Sequence, residues 1–217
     1  ADEVLLDYAF GNLAEPESLI ISAHSSYCIE CSRKIEIFEA LAGEMLNNTE
    51  PLPISKNLLN KTLKAIDNIE EGLESRAVQS DTFIRTNLSS KKIQIPSSII
   101  DYLGGKLNTN EWSSTINNLR YFDIPFKESK YNVRMFEILP GKTMPKHGHA
   151  GSETTLVLHG GYKDENGIYD LGDIVQVNDK DVHEPVALDE GCLCLVISSG
   201  SIRFKGFFGS LLNLSRF

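Results

Sequence analysis

The chain has 217 residues, 41% of them apolar and 24% charged, with a net charge of -9. That balance describes one large or two small folded domains and excludes wholesale disorder. An acidic chain without a Lys/Arg stripe disfavours direct nucleic-acid binding and suits a basic protein partner better. No apolar run approaches the roughly 18 to 20 residues that span a bilayer, and acids stand at the N-terminus where a secretory leader carries basic residues, so a soluble chain without a membrane partner is expected. The four cysteines form two tight pairs, Cys28/Cys31 and Cys192/Cys194. Pairs so close fit thiol or metal chemistry in a reducing compartment, the cytoplasm, better than a loop-closing disulfide framework.

Residues 1–75 carry helical grammar. Asp2 can cap a first helix with Val4, Leu5, Tyr8 and Ala9 at helical spacing, and Gly11 is its stop. Pro16 suits the first turn of a second helix, whose face is Leu19, Ile20 and Ala23. A third begins near Cys28 with Ile35, Phe38, Ala42 and Met45 on one side. After the break "NNTEPLP", Ser55 can cap a fourth that aligns Leu59, Leu63, Ile66, Ile69 and Leu73. Residues 76–92, "RAVQSDTFIRTNLSSKK", are polar and weakly patterned, as a linker is. Residues 93–217 then change period. "IPSSIIDYL" can be one short helix, and "YNVRMFEIL", "TTLVLHG", "DIVQVN" and "CLCLVISS" are strand-like segments punctuated by Pro140-Gly141, Gly160-Gly161 and Asn166-Gly167. The fold class expected is therefore α+β and multidomain: a small four-helix unit followed by an all-β barrel or sandwich.

Two constellations carry chemistry. His24, Cys28 and Cys31 form H-x3-C-x2-C across a helix-helix turn, three of the four ligands a structural zinc takes. The positive end of the third helix favours the thiolate at Cys28. Small buried cysteines with a capping histidine, or a redox dithiol, are the other readings, and the dithiol is disfavoured because the motif lies among helices. In the second half, His147 and His149 stand two apart, so a strand presents both on one side; Glu153 and His183 complete a His3Glu set suited to a divalent transition metal. His159 is the one histidine outside these groups and is taken as structural. Cys192 and Cys194 share a strand face, either as small core residues or as a redox-sensitive pair, and the carboxylates of "DENGIYDLGD" are taken as turn residues.

The stretch from Gly141 to Gly160 matches the cupin signature G-x5-H-x-H-x3-E-x6-G in full. The second cupin motif keeps its spacing from Gly172 to His183, with Asn178, Lys180 and Ala187 in its Pro, Gly and Asn positions. Such a cupin behind a helical H-x3-C-x2-C unit resembles the ChrR family of zinc-dependent anti-sigma factors over nearly the whole chain. The resemblance implies a helical domain at 1–75 that sequesters a group IV (extracytoplasmic-function) sigma factor, and a double-stranded β-helix cupin at 93–217 that senses singlet oxygen or a related oxidant. It implies two zinc ions, one held by His24, Cys28 and Cys31, the other by His147, His149, Glu153 and His183; the cupin set also suits iron, manganese or nickel. A homodimer through the cupin is a further expectation. The family's fourth N-terminal ligand is a histidine that would precede Ala1, so the first centre is expected to be under-coordinated, completed by Asp2, Glu3 or water, or without metal. The rival reading is a cupin metal-dependent dioxygenase with a helical accessory domain, since the same ligand set serves both.

Overall fold

The computed structural model describes residues 2–70, 83–84, 93–103, 112–114, 119–126 and 130–205. Helices α1 (Asp2–Ala9), α2 (Glu15–Ser25), α3 (Ile29–Asn47) and α4 (Leu58–Glu70) come first, and α5 (Ser97–Tyr102) lies at the entrance to the β region. Asp2 is the first helical residue of α1, and Gly11 (φ 70°) ends its turn as the spacing predicts. Pro16 sits in the first turn of α2, where Glu17 accepts from the Ala14 N–H at 3.2 Å. α4 starts three residues after Ser55, whose carbonyl accepts from Leu58 N at 3.0 Å. Leu73 lies outside the described residues.

The four helices are present, but they do not form a closed bundle. Of the expected α3 face, Ile35 is buried while Met45 is 58% exposed, and every residue from Leu58 to Asp67 is exposed. An amphipathic helix buries its stripe only where another apolar face meets it; here α1 and α2 meet only the first half of α3.

Among the described residues there are twelve strands, all paired antiparallel. β1 (Phe83–Ile84) pairs with β2 (Ile93–Gln94), so part of the stretch expected to be linker is a strand. The large sheet runs β3 (Ser113–Ser114), β4 (Leu119–Asp123), β5 (Asn132–Ile138), β11 (Val186–Ser198), β7 (Glu153–Lys163) and β8 (Ile168–Asp170), with β9 (Ile174–Val177) also on β7. The facing sheet is β10 (Val182–His183), β6 (His147–His149) and β12 (Ile202–Phe204). Asn166-Gly167 lies in the β7–β8 turn, closed by a bond from Asp164 N to the Gly167 carbonyl at 3.0 Å.

β11 is buried on both faces. Cys192, Cys194 and Val196 point into the barrel with Phe136, Ile138 and Val157. Leu193, Leu195 and Ile197 point outward with Met135, Leu156 and Leu158, against Leu5, Leu19, Ile20 and Ile35 of the helices and Ile99 of α5. This explains the unbroken apolar run "CLCLVIS": alternation marks a half-buried strand, and a strand covered on both sides loses it. The helices thus form an outer layer on the barrel wall. Tyr131 reinforces the seam by donating its hydroxyl to Glu17 at 2.7 Å. Gly160 (φ 60°) allows β7 to pass β11, since a Cβ there would lie 2.0 Å from the Gly191 carbonyl oxygen.

Candidate metal centres

The barrel brings its four expected ligands together. β6 projects His147 and His149 to one side, β7 opens with Glu153, and β10 places His183 opposite His147. All four are at least 95% buried. His147 Nε2 and His183 Nε2 are 3.1 Å apart, and His149 Nε2 is 3.2 Å from His183 Nε2. Two nitrogens bound at about 2.1 Å to one ion stand about 3.0–3.4 Å apart at octahedral or tetrahedral angles, so the rings are already at ligand spacing.

The outer ring nitrogens support the same reading. His147 Nδ1 donates to the Pro145 carbonyl at 2.8 Å, and His183 Nδ1 lies 3.2 Å from Asp164 Oδ2. Each partner accepts, which leaves Nε2 with its lone pair facing inward. Glu153 Oε2 is 3.3 Å from His149 Nδ1 without hydrogen-bond geometry, so that buried nitrogen has no such partner. Burial, and then the facing His183, lowers the pKa of His147 to about 3 and of His149 to about 4. Burial raises the Glu153 carboxyl to about 8, partly opposed by the Thr155 hydroxyl. Three imidazoles converging on a buried carboxyl are a donor set that a divalent cation satisfies. The adjoining cavity is about 30 Å³, lined by Phe136, Met144, Tyr162 and Cys194 among others. It has room for a water or a diatomic molecule.

Asp164 was not distinguishable in the sequence from its neighbouring turn acids. It is a turn residue, accepting from the Asn166 and Gly167 N–H groups at 2.8 and 3.2 Å, and it also backs His183. Its signal would have been an acid close to a ligand histidine in space, though 19 residues distant in the chain.

The N-terminal group also assembles: ligand atoms of His24, Cys28 and Cys31 lie within 4.8 Å of one another. His24 lies in the last turn of α2, its carbonyl accepts from Tyr27 N and Cys28 N at 2.9 and 3.0 Å, and Cys28 is the N-cap of α3. The Cys31 N–H at that helix start lowers the Cys28 thiol pKa, while burial raises that of Cys31, so one thiolate is favoured at Cys28. Among the described residues no carboxylate joins the group, and Asp2 is engaged by Lys34 at 3.0 Å. The chemistry of the set, two sulfurs and an imidazole, fits zinc.

Cys192 and Cys194 face each other inside the barrel with their sulfurs 3.9 Å apart. The bond from Cys192, with burial, raises the Cys194 thiol well above its ordinary range, so it stays protonated. His159 takes part in neither cluster. No helix among the described residues is long and apolar enough to cross a membrane.

Comparison with known proteins agrees with the architecture. Residues 106–201 match the family model described as the ChrR cupin-like domain. The chain is 30% identical over 215 residues to the anti-sigma-E factor ChrR of Cereibacter sphaeroides, covering 98% of this chain and 94% of that protein. The crystal structure of Rhodobacter sphaeroides SigE in complex with the anti-sigma ChrR superposes with a TM-score of 0.67 at 27% identity, over 91% of this chain and 96% of the matched chain. With a relative of that identity aligned over nearly its whole length, the chain belongs to the ChrR family of anti-sigma factors, regulators rather than enzymes.

Proposed function

We propose that this chain sequesters a group IV sigma factor through the outer faces of α3 and α4, within a helical unit at 1–75, and releases it when an oxidant such as singlet oxygen acts on the barrel at 93–217. The observation that carries the first half is the pair of uncovered apolar stripes: Ile37, Leu41 and Met45 on α3, and Leu59, Leu63 and Ile66 on α4, each 45–65% or so exposed. Fully burying such a side chain contributes about 1.5–3 kcal/mol, so covering six of them supplies the gross energy of a stable complex, less the cost of association. Residues 1–70 hold 12 acidic and 5 basic residues, a net of -7 of the chain's -9, which favours encounter with a basic partner. The ChrR in the matching crystal structure is bound to SigE, which supports a sigma factor as the occupant.

Zinc held by His147, His149, Glu153 and His183 would fix the barrel wall; Zn2+ itself has no redox chemistry, so an oxidant entering the small cavity acts on ligand side chains or on Cys194. His24, Cys28 and Cys31 would hold a second zinc that fixes the α2–α3 turn. Association of two chains through the barrel is open to test by sedimentation.

The test of sequestration is to identify the sigma factor that co-purifies with the full chain and to measure its binding to Leu41→Asp/Leu63→Asp. Loss of at least 100-fold in affinity with unchanged metal content is expected. Wild-type affinity in that variant would refute the docking faces.

A further inference from the structure

We propose that the backbone carbonyl of Gly172, on the barrel, is part of the N-terminal metal centre: it holds the His24 ring so that Nε2 is the ligand nitrogen. This rests on the reading of His24, Cys28 and Cys31 as metal ligands. His24 Nδ1 lies 2.8 Å from the Gly172 oxygen, across 148 residues of chain. A carbonyl only accepts, so Nδ1 carries the proton, and the lone pair available to a metal is on Nε2.

The acceptor is anchored from the barrel side. Gly172 N donates to the Val157 carbonyl at 2.9 Å, and Val157 N donates to the Asp173 carbonyl at 3.1 Å. Val157 lies on β7, the strand that opens with Glu153. In the other direction the chain runs from Gly172 through β9 to His183. The residue carrying the carbonyl must be glycine: φ is 89°, and a Cβ would stand 2.8 Å from the Tyr27 Cβ, three residues after His24. Tyr27 thereby lies against the barrel at the turn that joins His24 to Cys28, beside a glycine that stands between Glu153 and His183 in the chain.

Orienting bonds of this kind are worth 10- to 100-fold in metal affinity. The helical unit's hold on its metal accordingly depends on the seating of the barrel beside it.

Cobalt(II) titration of the full chain tests this, because thiolate-to-cobalt absorption reports the cysteine-bearing centre and not the histidine–glutamate one. Gly172→Ala should weaken cobalt at the thiolate centre 10- to 100-fold while the barrel centre keeps its metal. Nitrogen-15 spectra of the zinc-loaded wild-type chain should show His24 protonated at Nδ1 and metal-bound at Nε2. Unchanged cobalt affinity in Gly172→Ala, or metal on His24 Nδ1, overturns the proposal. If Gly172→Ala also empties the barrel, the nitrogen spectra of the wild type decide alone. A wild-type chain with no thiolate band, matching Cys28→Ser/Cys31→Ser, overturns the underlying metal reading and this inference with it.

Discussion

Glu153 makes the metal-free barrel sensitive to pH in a direction opposite to that of His147 and His149. Its carboxyl is 5% exposed, and burial raises its pKa to about 8 from 4.5. A raised folded value means that the folded protein keeps a proton the unfolded chain has lost, so stability is full below pH 4.5 and declines as pH rises towards 8. At about 1.4 kcal/mol per unit, the loss at pH 8 is about 4 kcal/mol, or roughly 8–16 °C in Tm for a chain of this size. Glutamine keeps the shape without the charge. In chelator, Glu153→Gln and wild type should therefore unfold at similar temperatures near pH 5, with the variant roughly 8–16 °C higher at pH 8. His147 and His149, with folded values depressed to about 3 and 4, lose their contribution as pH falls below 6.5, equally in both proteins, and so drop out of the comparison. The assay is thermal unfolding of the full chain by circular dichroism from pH 5 to 9. Parallel curves for the two proteins would show that water reaches the carboxylate and that its desolvation is not what prepares the site for a cation. Adding metal at pH 8 should reverse the order, since the carboxylate is then a ligand.

Asp164→Asn keeps an acceptor for the Asn166 and Gly167 amides but removes the charge behind His183, so metal affinity at the barrel should fall 10- to 100-fold with the turn intact, as chelator competition would read. Arg120 reaches the 1%-exposed Glu137 on β5 at 2.6 Å, and Arg120→Ala removes a charge partner from that buried carboxylate; a larger loss in denaturant unfolding is expected than for Arg134→Ala, whose partner Asp123 is 62% exposed.

The candidate barrel ligands were legible because one geometric rule brings them together: period two puts His147 and His149 on one side, and the motif spacing carries Glu153 and His183 to other strands of the barrel. The helices were legible where punctuation was strong, at Gly11 and Pro16. Met45 lies on the apolar side of α3 as its spacing indicates and is nonetheless exposed, because amphipathic spacing reports that a face is apolar, not what covers it. Short strands such as Leu119–Asp123 and Ile202–Phe204 offer too few alternations to register. The partners of the ligands were invisible for a different reason. Pro145 supplies a backbone carbonyl, Asp164 resembles any turn acid, and Gly172 meets His24 only after the chain has closed on itself, so no local pattern encodes them.

The two-faced burial of β11 bears on how this protein can be dissected. Leu156, Leu158, Leu193 and Leu195 are covered from outside by side chains of α1 to α3. A fragment containing only the barrel would uncover the part of that leucine sheet which α1 to α3 cover, an aggregation-prone surface, and its misbehaviour would say nothing about the candidate metal centre. By the same token, a chain cleaved between the helices and the barrel should remain associated, its halves held by a common interior. The boundary between the helices and the barrel is thus a line in the sequence but not a parting plane in the molecule, and single-residue changes at the candidate ligands are the cleaner way to probe each part.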